Sequence, residues 1–232
     1  MTAYTTKGIV LTRTDFGEAG RIITFLTTDH GKVKAMAKGV RKAKAKLAGS
    51  VELFSVSDLT LIPGRGEIDT LISARLIKHY GEIVKDLERT TLGYEFLRLV
   101  NKATEAAAES AYFETVKKGL AALADRTIDL GLIDLWFRLQ LLKISGHSPN
   151  LQTDRNGKKL QAANTYDFHM DHMHFVPVAS KRGKYDARHI KFLRLADSAS
   201  EPKTLQRVND SLSLTAATEP LIETMLRTYL RL

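Results

Sequence analysis

Residues 21–50 read RIITFLTTDHGKVKAMAKGVRKAKAKLAGS. Two short runs, 21–28 and 32–40, are built from β-branched, apolar and alternating residues and meet at Asp29-His30-Gly31. Glycine supplies the positive φ a tight turn needs, so the pair predicts a β-hairpin. Working outward, similar runs occur at 5–13, 51–62 and 67–79, the last two separated by Pro63-Gly64-Arg65-Gly66. Five short strands in about 75 residues most simply close into a small barrel, which removes exposed sheet edges. The segment 41–50 has helix-forming composition and is placed to cap one end of that barrel.

From Gly81 onward the periodicity is helical. Leu92, Phe96, Leu97 and Val100 recur at spacings of three and four, and Leu120 to Ile144 continues the pattern. Gly146 and Pro149 then terminate a helix. A last helix is expected with Thr218 as N-cap, Pro220 in the first turn, and an apolar stripe from Leu221 to Leu230. Residues 150–185 are polar and turn-rich, and suggest short hairpins or a mobile loop. The expected organisation is therefore a β domain at 1–80 and an α-helical domain at 81–232.

Composition excludes several functions. The 232 residues include no cysteine, so disulfides, thiolate catalysis, iron–sulfur clusters and cysteine zinc fingers are ruled out. No apolar run approaches the ~20 residues of a membrane span, and no leader pattern opens the sequence, so a cytoplasmic location is expected. There is no P-loop, no dinucleotide-binding glycine pattern after a strand and no nucleophile elbow. The net charge is +9, and residues 1–80 carry 13 basic against 7 acidic residues, so most of the excess sits in the β region. A polyanion is the natural partner of such a surface.

The charge is concentrated in one place. If 32–38 is a strand, Lys32, Lys34, Met36 and Lys38 project from one face, while Val33, Ala35 and Ala37 point into the barrel. Arg41, Lys42, Lys44 and Lys46 follow, giving seven cations from Lys32 to Lys46 with no acidic residue among them. Alone, such a run is a solvated face that protects a strand edge. On a five-stranded barrel it suits the phosphate backbone of a nucleic acid, because neutralised phosphates release counterions. Among the aromatics of this region, Phe25 and Phe54 lie in apolar runs and read as core, so electrostatics rather than extensive base stacking is expected to dominate.

Two further clusters stand out. His169, Asp171, His172 and His174 have side chains able to hold a transition metal, which defines a rival reading as a metal-dependent nuclease. Their spacing matches no standard signature, and no metal or other cofactor is expected. Lys181, Arg182, Lys184, Arg188 and Lys191 form a second basic group, read first as a solubilising loop and helix end.

The run from Gly8 to Glu18, then 22–27, His30-Gly31-Lys32 and Ala37-Lys38-Gly39-Val40-Arg41-Lys42, resembles the N-terminal domain of the bacterial RecO DNA repair family. LQLLKISGHSP at 139–149 is similar to that family's helix-Gly-x-x-Pro element ahead of a zinc module. The resemblance implies an N-terminal five-stranded OB-fold barrel, a helical domain, and a non-enzymatic recombination mediator. Such a protein binds single- and double-stranded DNA and anneals complementary strands. It engages the acidic C-terminal tail of single-stranded DNA-binding protein, works with RecR to help load RecA, and acts in the cytoplasm at the nucleoid. The resemblance places DNA binding on Lys32, Lys34, Lys38, Arg41, Lys42, Lys44 and Lys46, with Arg13 and Arg21 beside them. Many relatives carry two Cys-x-x-Cys pairs where this chain has Thr153 with Asn156 and Pro177 with Ser180. A degenerate, cysteine-free module at 150–185 is therefore expected, held by packing of Leu160, Tyr166, Phe168, Phe175 and Val178. The remaining alternative is an OB-fold nucleic-acid-binding adaptor without annealing activity.

Overall fold

A computed structural model describes residues 2–42, 47–104, 109–179 and 182–230. The chain divides into two compact units, Met1–Asp125 and Arg126–Leu232.

The first unit opens with five strands, β1 (Tyr4–Phe16), β2 (Gly20–Thr27), β3 (Lys32–Ala37), β4 (Ser55–Ile62) and β5 (Ile68–His79). They form a closed barrel in the order β1-β2-β3-β5-β4, with β3 and β5 parallel and the other pairs antiparallel. The long first strand closes it: residues 4–9 pair with β4, residues 8–16 pair with β2, and a bulge between Val10 and Thr12 bends the strand from one partner to the other. Gly8 is paired on both sides, with Thr27 and with Ser57. A Cβ there would lie 2.4 Å from Leu59 Cδ1, so the crossing point needs a residue without a side chain. The interior is filled by residues of alternate phase, among them Val10, Ile23, Phe25, Ala35, Leu59, Leu61 and Leu71. Of the helix expected over 41–50, residues 48–50 form a 3-10 turn and 43–46 lie outside the described residues.

Two helices complete this unit, α1 (Leu87–Ala103) and α2 (Ser110–Ala124). Asp86 caps α1 by accepting the Arg89 amide. The buried Arg89 side chain donates to the Leu123 and Asp125 carbonyls at the end of α2. These helices pack against β1 and β2. They cover the outward-facing Ile9 and Leu26, which are fully buried.

The second unit is built around α3 (Leu130–Ile144). This helix buries Leu132, Ile133, Leu135, Trp136, Phe137, Leu139, Leu141 and Leu142 on nearly all sides, as expected of a core helix. The Trp136 indole donates to the Ala199 carbonyl at 2.9 Å. A three-stranded sheet follows, β6 (Asn150–Asp154), β7 (Thr165–His169) and β8 (His174–Val178), in the order β6-β8-β7. The cysteine-free module is thus ordered structure. Phe175 is its centre, in edge-to-face contact with Tyr166, Phe168 and Tyr185 at 5.0–6.2 Å between centroids. Leu160 and Val178, expected in this packing, are half-buried, while Tyr185 is an additional member.

Helices α4 (Ala187–Ser198) and α5 (Ser211–Tyr229) close the unit on α3. The last helix differs from the sequence expectation. It begins at Ser211, so Thr218 is interior rather than an N-cap and Pro220 lies inside the helix. The buried stripe continues upstream of Leu221 through Thr218, Thr215 and Leu214. The hydroxyls of Thr218 and Thr215 donate to the Leu214 and Ser211 carbonyls, which satisfies them on an apolar face. Among the described residues no helix is long and apolar enough to cross a membrane.

Candidate nucleic-acid interface

The outer face of β1, β2 and β3 is laid out by register. One row across the sheet is Thr12, Thr24, Lys34 and Ile68, and the next is Thr14, Ile22, Met36 and Thr70. Beyond them Phe16 stands opposite Gly20. Because Arg21 pairs with Ala37, Lys38 follows in the same outward phase as Met36 and Lys34. At Gly20 the space a Cβ would take is already approached by the Phe16 carbonyl at 3.0 Å and the Met36 sulfur at 3.5 Å, so the strands close tightly here. Phe16 is 56% exposed, and Lys34, Lys38 and Lys42 have solvent-facing side chains.

The predicted cations fall into three groups. Lys34 faces solvent with only a loose pair, its Nζ 3.9 Å from Glu67, which is itself 91% exposed. Lys38 and Lys42 make no ion pair among the described residues. A second group surrounds a carboxylate at the barrel mouth, on the opposite phase of the sheet. Asp15 accepts from Arg21 Nε at 2.8 Å and lies 3.5 Å from Arg41, while Arg13 pairs with Glu52. The Arg21 hydrogen bond, with the charges of Arg41, Arg21 and Arg13, holds the Asp15 carboxyl below the ordinary carboxylate range.

Lys32 is placed differently from the rest. Its Nζ donates to the Asn101 carbonyl at 2.8 Å and the Thr104 carbonyl at 2.6 Å, at the C-terminal end of α1. At that end of β3 the Lys32 side chain reaches the end of α1, whereas Lys34 and Lys38 further along are exposed. Lys44 and Lys46 lie outside the described residues.

Sequence reasoning counted Phe16 and Tyr4 among the aromatics of the β region without placing Phe16 on this face, and did not single out Ile68 and Ile72 of β5, which are 40% and 51% exposed. The available signal was phase. Continuing the alternation of β1 through its bulge sets Phe16 outward.

The histidine cluster does not assemble. His172 and His174 rings stack at 5.6 Å between centroids, and among the described residues no three His, Asp or Glu side chains converge on a metal-sized point.

A five-stranded barrel with this strand order, followed by helices, defines the class: an OB-fold protein with an appended helical region. Residues 1–80 match the family model described as recombination protein O N terminal. The DNA repair protein RecO of Dehalococcoides mccartyi strain 195 is 33% identical over 165 residues, covering 70% of this chain and 64% of that relative. The RecO of Bifidobacterium adolescentis is 36% identical over 155 residues, covering 66% and 63%, and that of Thermobifida fusca is 32% identical over 155 residues. Over these matched segments the chain is similar to the RecO family. It spans less than two thirds of the length of these curated relatives.

Proposed function

We propose that this protein is a non-enzymatic mediator of recombinational DNA repair, binding single- and double-stranded DNA, annealing complementary strands and helping to load a recombinase. One observation carries this reading: on an OB-fold barrel whose first strand ends in an exposed Phe16, Lys38 and Lys42 face solvent without an ion pair among the described residues and Lys34 has only the 3.9 Å pair with Glu67. The DNA-binding domain in this proposal is 1–80, with 81–232 as the helical domain. Arg41, Lys44 and Lys46 extend the tract, Arg13 and Arg21 border it, and Lys32 supports it from within the fold.

The mechanism needs no chemical step. Cations beside two phosphate backbones lower the repulsion between complementary strands and raise their local concentration, leaving base pairing to read sequence. Phe16 offers a face on which one base stacks while Lys38 takes the adjoining phosphate. By likeness to the family, the substrate is DNA coated with single-stranded DNA-binding protein. The acidic tail of that protein, RecR and, indirectly, RecA are the partners, and the cytoplasmic nucleoid is the place of action.

The experiment is annealing of two labelled complementary strands precoated with single-stranded DNA-binding protein, with EDTA present throughout. Acceleration that survives EDTA and fades with salt is expected. Binding without acceleration would favour an OB-fold adaptor instead, and strand degradation abolished by the chelator would favour a nuclease.

A further inference from the structure

The second unit carries a cationic surface that the barrel does not account for. The turn between β6 and β7 is closed by Asp154, whose amide donates to the Lys158 carbonyl and whose carboxylate accepts the Asn156 and Lys158 amides. This sets Arg155, Lys158 and Lys159 on an exposed tip. About 25 residues later in the chain, a second run is laid along β7. Tyr185 exchanges both backbone hydrogen bonds with Tyr166 at 2.7 and 2.9 Å, and the Lys184 amide donates to Asp167. Gly183 permits the approach, since a Cβ there would lie 2.5 Å from the Tyr166 nitrogen. Arg182 and Lys184 of this run, and Lys191 on α4, face solvent.

The run at 182–185 borders β7, across β8 from β6, and α4 carries the second cluster back to the β6 side at Lys191. Arg194 of α4 donates to the Leu151 carbonyl of β6 at 2.7 Å. Leu160 and Ala162, just after the β6 turn, line a narrow cleft with Ala187, Ile190 and Lys191 of α4. None of Arg155, Lys158, Lys159, Arg182, Lys184 and Lys191 has a carboxylate within ion-pair distance among the described residues. The nearby Asp154 and Asp167 direct oxygens to backbone amides, while Asp186 accepts the Arg188 and His189 amides and pairs with the Arg188 guanidinium and the His189 ring.

We infer that this surface is a second binding tract for a nucleic-acid phosphate backbone, separate from the barrel stripe. The inference rests on the DNA-binding reading above and deepens it. Protein interfaces are enriched in aromatic and apolar anchors at their centre. Among the described residues of this unit the sole large exposed apolar side chain is Leu212, at the start of α5. Charge without anchors suits a backbone, which is held by cations irrespective of sequence. The aromatic rings Tyr166, Phe175 and Tyr185 are buried, so no base stacks on them and duplex is bound as readily as single strand. A chain with two such tracts holds two strands at once, which makes their meeting intramolecular.

The test counts strands. Oligonucleotides of about ten nucleotides, within the span of one OB fold, are titrated onto the full chain and the bound number is read by ultracentrifugation. The wild type is expected to bind two, and Arg155→Gln/Lys159→Gln and Lys184→Gln/Lys191→Gln one each, with melting temperatures unchanged. Two strands on both variants, or one strand on the wild type that only barrel substitutions remove, would overturn the second tract while leaving DNA binding intact. A wild type that binds no oligonucleotide would overturn both readings. Capture of polyglutamate that both variants lose, with strand number unaltered, would also overturn it, by marking the surface as a seat for an acidic protein.

Discussion

The ammonium group of Lys32 donates to the Thr104 carbonyl oxygen at 2.6 Å, which ties barrel strand β3 to the last turn of α1. A cation at a helix C-terminus satisfies orphan carbonyls and opposes the negative end of the helix dipole. Lys32→Met is therefore expected to lower stability by about 1–2 kcal/mol, the worth of charge-assisted hydrogen bonds to backbone. DNA affinity should change less than in Lys38→Met. Denaturant midpoints and oligonucleotide Kd values on the two variants check this; the reverse order would return Lys32 to the DNA-contacting group.

Lys34, Lys38 and Lys42 should set the salt dependence of binding. For a single strand, the plot of log K against log salt flattens by roughly 0.7 for every phosphate that is no longer neutralised. Replacing all three lysines with glutamine should weaken binding across sequences and reduce the slope by about two. Fluorescence anisotropy over a salt series measures it, and an unchanged slope would remove these residues from the interface.

Asp15 holds two guanidinium groups, Arg21 and Arg41, that would otherwise face a phosphate. Asp15→Asn releases them and removes a negative charge from the barrel mouth. Binding should tighten by roughly two- to five-fold at low salt, the scale of an exposed ion pair. The depressed Asp15 pKa also fixes a sign. A carboxyl lower in the folded than in the unfolded chain contributes stability that is present above its unfolded pKa, near 4. That contribution is lost as pH falls through the folded value. Acid titration of stability in wild type and Asp15→Asn should therefore diverge above that region and converge below it.

The barrel was legible because its signals are local. Strand alternation, the Gly31 turn and the Pro63-Gly64 turn each specify structure within a few residues, and the observed strands begin and end within four residues of the expected ones. What was hidden depends on distant partners. Lys32 and Lys38 read alike in sequence, and they differ because the end of α1, some 70 residues later, takes up the Lys32 ammonium. The true start of α5 was masked by Thr218, which looks like a capping residue and instead sits buried with its hydroxyl bonded to the Leu214 carbonyl of its own helix. The β6-β8-β7 sheet was obscured by strands of five residues, too short to establish a period, and by a core of aromatic contacts that no spacing announces.

Gly8 tests the closure of the barrel. Its neighbours on both sides are strands, and Leu59 occupies the space a side chain would take. Gly8→Ala should destabilise the protein by about 1–3 kcal/mol through overpacking. Equilibrium unfolding gives the value. A neutral result would mean that Leu59 repacks freely, and that closure does not depend on the bare backbone at this crossing.

Phe16 separates stacking from charge. A ring exposed in phase with Lys34 and Lys38, across a glycine from the latter, is placed to hold a base only when that base is unpaired. Phe16→Ala should weaken single-strand binding by about 1–3 kcal/mol, the range for one base–aromatic stack, and leave duplex binding and the salt slope nearly unchanged. If single-strand and duplex affinities instead fall together, the ring supports the β1–β2 hairpin rather than a base. If neither falls, the outer face binds through its cations alone, as expected from the scarcity of exposed aromatics in the sequence.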